Sequence, residues 1–295
     1  MVKALTKFVL AAVAAFLPSF MWAQSMTVHV KGGDPVTLQT NQIESITFTD
    51  DLSSVYVAPK IGDFYYSDGT WSSEFDYSKD AIGIVFYVGD PTAEDPILKA
   101  DHPDCTHGLV VAAHAAETGC VWQNTYIKSV GEWITANLPG YTSTESNYGQ
   151  DEIRNSILGY NNTKAILAFN KSNPDYTVVP VEKVADFETE HPAPAASSGW
   201  YVPSAKELFL LINGEMDNPE LLLSTKTHAN ISVIDNALAY IIGAKLMYNS
   251  QWAYDIWSSN EFGYNAYAVC TYDGAVEGIY KDSGNNTLPR FVLAF

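Results

Sequence analysis

The sequence predicts an α+β protein in which mainly antiparallel strands are packed against helices. Short stretches of alternating apolar and polar residues, several of them joined by Asp-Gly pairs, are typical of antiparallel strands and tight turns. Other stretches repeat their apolar residues every three or four positions, as one face of a helix does. The chain has 295 residues, 47% of them apolar, and is therefore long enough to bury a large core.

The first residues of the chain have the pattern of a signal peptide. Lys3 and Lys7 precede an apolar run over residues 8–22, and the small residues Ala23 and Ser25 follow it. A secretory signal has three such parts: a basic start, a short apolar run and small residues at the cleavage site. We predict that residues 1–24 are removed and that the protein is exported. No later apolar stretch reaches the roughly 18 residues of a transmembrane helix, so we expect no membrane-spanning segment.

The charge of the chain excludes two classes of partner. Acidic residues number 34 and basic residues 16, which gives a formal net charge of −18. Such a surface repels the phosphates of nucleic acids and of anionic membranes, so we expect neither as a partner. The chain also contains 18 tyrosines and 7 tryptophans. These side chains suit a binding surface, although they also cover exposed sheets.

The chain divides into a small β module at residues 25–58 and a main domain at residues 61–295. In the module, three short alternating runs at residues 26–30, 36–38 and 43–48 are separated by turn residues, which predicts a small meander.

The main domain is organised around residues 199–214, where a strand end leads into a buried helix. Pro203 keeps the residue before it extended. Ser204 and Glu207 have the spacing of a capping box, and Gly214 ends the helix. The helix is apolar around most of its circumference, so we expect it in the core.

Other elements are predicted on either side of this helix. Strands are predicted at residues 82–88, 109–114, 254–257, 265–272, 275–281 and 290–295. Two helices are expected between residues 123 and 171, and a helical turn between 178 and 190. A further helix begins near Ser232, with Asp235 as a capping acid and one apolar face formed by Ala237, Leu238, Ile241, Ile242 and Leu246.

Five motifs occur in an order that resembles a family of surface proteins. They are GDFYYSDGTW at 62–71, HGLVVA at 107–112, GWYVPSAKEL at 199–208, IWSSNE at 256–261 and PRFVLAF at 289–295. Together they resemble the C-terminal domain of Lcl-type collagen-like adhesins and the related major-paralogous domains, which have a C-type-lectin-like fold. The resemblance covers residues 61–295, with an expanded stretch at 119–198. Residues 25–58 resemble the leading segment of exported Bacteroidetes-type surface proteins.

The resemblance implies a cell-surface adhesin that binds a glycan or a protein, with a fimbria as one location. It implies that the first and last strands of the domain pair. Structural roles fall on Trp200, Pro203, Glu207, Leu208, Trp257, Ser258 and Arg290. Exposed loop positions for ligand binding fall on Trp252, Tyr254, Asn260, Glu261, Tyr264 and Asp273.

Two other functions are compatible with the sequence. The chain could be a structural subunit of a surface assembly, which would need protein partners and no small ligand. It could also be a relative of the formylglycine-generating oxidases, which share the fold. Those enzymes need two cysteines close together, and Cys270 has no nearby partner in the sequence. We therefore expect no catalytic residues and no enzymatic activity.

We expect neither a metal nor a cofactor. Cys105, His107, His114 and Cys120 could be counted as zinc ligands, but their spacing is too loose for a tetrahedral site. Cys105 and Cys120 are expected to form a disulfide or to remain free. An acidic loop at residues 213–220 has oxygen ligands of the kind calcium uses, yet their order does not match calcium-dependent lectins.

Overall fold

The computed structural model describes residues 25–29, 34–39, 57–125, 128–146, 155–214, 229–248, 254–283 and 286–295. The chain forms two compact units, Met1–Tyr56 and Val57–Phe295. In the first unit, strand β1 (Ser25–Val28) pairs antiparallel with β2 (Val36–Gln39), which confirms two strands of the predicted meander. The third predicted strand and the signal peptide lie outside the described residues. Within the described ranges, no helix has the length and apolar character needed to cross a bilayer.

A five-stranded antiparallel sheet forms the centre of the second unit. Its strands are β3 (Phe64–Tyr66), β4 (Trp71–Ser72), β5 (Ala81–Val88), β6 (Gly108–Ala112) and β10 (Val292–Ala294), in the order β10-β6-β5-β3-β4. The expected pairing of the first and last strands is therefore wrong. Strand β10 pairs with β6, and both edges of β3 are already occupied by β4 and β5.

A second sheet contains β7 (Asp255–Phe262), β8 (Asn265–Cys270) and β9 (Val276–Tyr280), with β8 in the centre. The prediction ended the first of these strands at Trp257, whereas β7 continues for five more residues. The polar run from Ser258 to Glu261 hid this continuation, because a strand with four consecutive polar side chains does not show the alternation of a half-buried strand.

Six helices of the described residues pack around the sheets. They are α1 (Pro96–Asp101), α2 (Val130–Asn137), α3 (Gly159–Ser172), α4 (Val179–Glu190), α5 (Ala205–Asn213) and α6 (Ala229–Leu238), with short 3-10 turns at Pro91–Ala93 and Pro174–Tyr176. The two helices expected between residues 123 and 171 are α2 and α3. The predicted helical turn is the longer helix α4.

Helix α6 differs from its prediction at both ends. It begins at Ala229 and ends at Leu238, so Ile241 and Ile242 lie beyond it, and Ile242 is 97% exposed. Asp235 lies inside the helix, where its carboxylate accepts hydrogen bonds from the Met247 and Tyr248 N–H groups at 2.8 Å each. The carboxylate thus holds the following chain segment against the helix.

The central sheet is buried on both faces. Alternate residues of β6 separate the two apolar clusters, since Val111 faces one and Val110 the other. The first cluster includes the apolar residues of α5 and α6, and the second includes Phe169 of α3 and Trp257 of β7. A sheet that is covered on both sides explains why all five residues of β6 are buried.

The start of α5 confirms the predicted capping box. The Ser204 side chain accepts a hydrogen bond from the Glu207 N–H, and the Glu207 carboxylate accepts one from the Ser204 N–H. The helix ends at Gly214, whose φ of 81° is the left-handed conformation that favours glycine. Asn260 of β7 adds a second cap, because its side-chain oxygen accepts the Ala205 N–H at 2.9 Å.

Burial makes Glu207 an unusual capping acid. Its side chain is 1% exposed, and burial raises the pKa of Glu207 from 4.5 to about 7. Hydrogen bonds from the Ser204 N–H and the Tyr201 hydroxyl act in the opposite direction, because they favour the charged carboxylate.

The raised pKa predicts a pH-dependent stability. An unfolded chain releases the Glu207 proton near pH 4.5, whereas the folded chain holds it until about pH 7. The stability that this protonation contributes is therefore complete below pH 4.5 and is lost as the pH rises to 7. We expect the free energy of unfolding of the wild type, relative to Glu207→Gln, to fall by up to about 3 kcal/mol between pH 4.5 and pH 8.

Urea denaturation of both proteins across that pH range measures the difference. Parallel curves for the wild type and Glu207→Gln would contradict a shifted pKa.

Candidate functional site

Two of the predicted ligand-binding residues are buried. Asn260 and Glu261 have 0% exposure, and both lie in β7 and not in a loop. The prediction that they are exposed is therefore wrong. Asn260 faces the first turn of α5, and Glu261 faces the start of α2, so both side chains point into the fold. The buried Asn260 Nδ2 group has no hydrogen-bond partner among the described residues.

Glu261 is the centre of a buried ion pair. One carboxylate oxygen contacts the Lys281 ammonium, and the other accepts hydrogen bonds from the Gly131 N–H and the Thr144 hydroxyl. Both charged side chains have 0% exposure, and the Lys281 ammonium also lies 5.2 Å from the Trp122 ring centre. Burial raises the pKa of Glu261, and the Lys281 charge and the Gly131 N–H oppose that rise.

The other predicted binding residues do not come together. Trp252 lies outside the described residues. The Tyr254 hydroxyl donates to the Leu246 carbonyl at 3.2 Å, and the Asp273 carboxylate accepts the Ala275 N–H at 3.0 Å in the turn after β8. Tyr264 is 63% exposed in the turn before β8. The six-residue strand β8 separates Tyr264 from Asp273 by about 20 Å, so no single small ligand contacts both.

All seven residues that were predicted to have structural roles are buried. They are Trp200, Pro203, Glu207, Leu208, Trp257, Ser258 and Arg290. The Arg290 guanidinium donates to the Lys245 carbonyl at 2.7 Å and to the Ala112 carbonyl at 2.8 Å. This arginine therefore connects the end of β6 to the segment after α6.

The cysteines are free thiols in this structure. Of the two possibilities for Cys105 and Cys120, the structure has the unpaired form, and Cys270 is also unpaired. Burial raises the pKa of Cys105 and of Cys120 to about 11 and raises that of Cys270. A thiol with a raised pKa is a weak nucleophile. Among the described residues, no group of three or more His, Cys, Asp or Glu side chains is placed to hold a metal ion.

The structure contains an aromatic groove that the sequence analysis missed. It is lined by Gly62, Phe64, Ser73, Glu74, Phe75, Tyr77, Asn236, Ala237 and Tyr240, and it encloses about 440 Å³. This volume is within the range of roughly 300–1,000 Å³ that is common for small-molecule sites.

The first wall of the aromatic groove follows the β3–β4 hairpin. The buried Tyr66 hydroxyl donates to the Glu74 carbonyl at 3.3 Å and accepts the Asp76 N–H at 2.9 Å. The Ser73 hydroxyl donates to the buried Asp63 carboxylate at 2.6 Å. These contacts fix the backbone from residue 73 to residue 76, so the side chains of this wall have defined positions.

The second wall is the last turn of α6 and Tyr240. The Tyr240 N–H donates to the Ala237 carbonyl at 3.1 Å, which turns the chain after the helix. Gly62 joins the two walls, because its φ of 93° favours glycine and a Cβ there would lie 2.8 Å from Cγ1 of Val233. A larger residue at position 62 would push α6 away from the hairpin.

Four rings form the apolar surface of the aromatic groove. Phe64 and Phe75 pack edge to face with ring centres 5.0 Å apart, and Phe75 lies 6.0 Å from Tyr240 and 4.9 Å from Tyr77. Tyr77 is 85% exposed and Tyr240 is 57% exposed. The motif at residues 62–71 located part of the hairpin, but Phe75 and Tyr77 follow it and Tyr240 follows α6. Only the tertiary contact of hairpin and helix brings these rings together.

Comparisons with known proteins connect the chain to fimbrial proteins. No model of a known protein family matches the sequence. The chain is 30% identical over 266 residues to a Bacteroides ovatus protein named "Putative fimbrium tip subunit Fim1C", a match that covers 80% of this chain and 45% of the relative. A crystal structure of a fimbrial protein from Bacteroides ovatus superimposes with a TM-score of 0.63 at 23% identity, over 80% of this chain and 49% of that one.

These comparisons show relatives among the fimbrial proteins of a Bacteroides species. The chain spans about half the length of each of the two proteins. The structural match supports the observed α+β fold with antiparallel sheets. These relatives confirm the predicted resemblance to Bacteroidetes surface proteins. Neither of the two is named as an Lcl-type or C-type-lectin-like protein.

The buried ion pair gives a stability prediction. Lys281→Met leaves the Glu261 carboxylate buried without its partner, so we expect a loss of about 3–5 kcal/mol in the free energy of unfolding. Lys164→Met is the matched control, because its pair with Asp101 has side chains 39% and 36% exposed. An exposed pair contributes less than about 1 kcal/mol.

Chemical denaturation of the two variants measures these losses, and Glu261→Leu combined with Lys281→Met should recover part of the first. Equal losses in the two single variants would show that the buried pair contributes no more to stability than the exposed pair.

Proposed function

We propose that this protein is an exported subunit of a bacterial surface fimbria. The observation that carries the proposal is the 30% identity, over 80% of the chain, to a protein named as a fimbrium tip subunit. The expected signal peptide at residues 1–24 supplies the route of export. A fimbrial subunit acts by contact with its neighbours, which agrees with an expected absence of catalytic residues.

Binding of a ligand at the cell surface is the second part of the proposal. The aromatic groove supports it, because exposed rings and polar side chains lie together in one concave surface. The loop positions around Tyr264 and Asp273 stay candidates for contacts with a protein partner.

The C-type-lectin-like relationship is a hypothesis within this proposal. The five motifs support it, whereas the pairing of β10 with β6 differs from the strand pairing that such a fold implies. Superposition of experimental coordinates on a C-type lectin domain would test it. Different connections between the superimposed strands would remove the hypothesis and leave the fimbrial proposal intact.

The fimbrial location predicts where the chain is found. Antibodies against the purified chain should label fimbriae in immunogold electron microscopy of the bacterium that encodes it, and sheared fimbriae should contain the chain in immunoblots. Cells from which its gene has been deleted are the control. Detection only inside the cell, or only as a free protein in the medium, would overturn the proposal.

A further inference from the structure

We infer that the aromatic groove is a binding site for a neutral glycan, with one sugar ring stacked on Tyr240 or Tyr77 and its hydroxyls bound by Asn236, Glu74 and Ser73. The inference rests on the proposed surface function and names the class of ligand for the aromatic groove. Three features of the groove lead to it: its two exposed tyrosine rings, the polar side chains beside them and its negative charge.

The open ring surface of the aromatic groove belongs to its two tyrosines. Phe64 is 5% exposed and packs edge to face with Phe75 at an interplanar angle of 75° and with Tyr240 at 79°. Phe75 meets Tyr77 at 82°. The exposed faces belong to the tyrosines, which are 57% and 85% exposed. The apolar C–H face of a pyranose ring packs on such a surface, and the phenolic group can contact a hydroxyl.

Two polar side chains beside the tyrosines have no hydrogen-bond partner among the described residues. Glu74 and Asn236 line the aromatic groove, and neither side chain makes a hydrogen bond to a residue that the structure describes. The Ser73 hydroxyl donates to Asp63 and keeps its acceptor capacity. The set contains an amide that donates and accepts, a carboxylate that accepts and a hydroxyl. This combination suits the many hydroxyl groups of a sugar.

The charge of the site selects among glycans. Glu74 is the charged residue among those that line the aromatic groove, and the whole chain has a formal net charge of −18. A sialylated, sulfated or uronic-acid glycan would bring a second negative charge next to this carboxylate. The site therefore favours neutral hexoses, deoxyhexoses or N-acetylhexosamines.

A cationic ligand is the strongest alternative occupant. Aromatic rings with an acid also bind ammonium groups. The aromatic groove offers such a ligand two exposed tyrosine rings and the Glu74 carboxylate. A quaternary ammonium has no group that could hydrogen-bond to Asn236 or Ser73, whereas a sugar has several hydroxyls for them. The polar groups of the groove therefore favour the glycan.

The test is a glycan array probed with the purified full chain, followed by titration of the glycans that bind. We expect saturable binding to neutral glycans and none to acidic ones. Tyr240→Ala should weaken binding about tenfold, and Asn236→Ala should weaken it by a smaller factor. Glu74→Gln should reduce the discrimination against acidic glycans.

Tyr280→Ala is the matched control, since Tyr280 is 61% exposed and lies at the end of β9, outside the aromatic groove. Its binding should equal that of the wild type. Near-UV circular dichroism and thermal melting of each variant confirm that the substitutions leave the chain folded.

Four results would overturn the inference: no neutral glycan bound by the folded chain, a preference for acidic glycans, competition by choline, or an equal loss in Tyr280→Ala. The location on fimbriae is measured separately by immunogold labelling. Labelled fimbriae without glycan binding would remove only the inference, and glycan binding by a chain absent from fimbriae would remove only the proposed function.

Discussion

The buried polar run of β7 is the constraint on which the second unit depends. Four consecutive polar residues, Ser258 to Glu261, are each 0% exposed. A polar group without a partner in such a place costs roughly 1–3 kcal/mol, and a charge costs more. Ser259 donates to the Pro203 carbonyl, the Asn260 side-chain oxygen accepts the Ala205 N–H, and Glu261 contacts Gly131 and Lys281. Among the described residues, the Asn260 Nδ2 group is left without a partner. These bonds hold the starts of α5 and α2 against the three-stranded sheet.

The position of the aromatic groove follows from these bonds through a short series of contacts. Asn260 caps α5, and α5 packs against α6. Asn230 at the start of α6 donates to the Leu210 carbonyl of α5 at 2.8 Å and to the Phe86 carbonyl of β5 at 3.2 Å. Helix α6 is therefore held between α5 and the central sheet, which places Tyr240 opposite the hairpin. The position of the aromatic groove is thus set by polar contacts in the core.

Local patterns in the sequence predicted the fold class, most of the strands and the position of α5. The capping box of Ser204 and Glu207 involves neighbours in the chain, so its residues identify it directly. The length of β7 could not be predicted in this way. Its polar side chains look like a solvent-exposed turn until their partners at Pro203, Ala205 and Gly131 are known, and those partners lie far away in the sequence. The predicted exposure of Asn260 and Glu261 failed for the same reason.

The two walls of the aromatic groove come from segments far apart in the sequence, at residues 62–77 and 236–240. The unfolded chain has no such surface, so a ligand that spans both walls binds only the folded protein. By mass action, a ligand present at 100 times its dissociation constant adds about 2.7 kcal/mol to the free energy of unfolding. A surface protein built in this way becomes more resistant to unfolding and to proteolysis when it is attached to its target, and is most easily degraded when it is not.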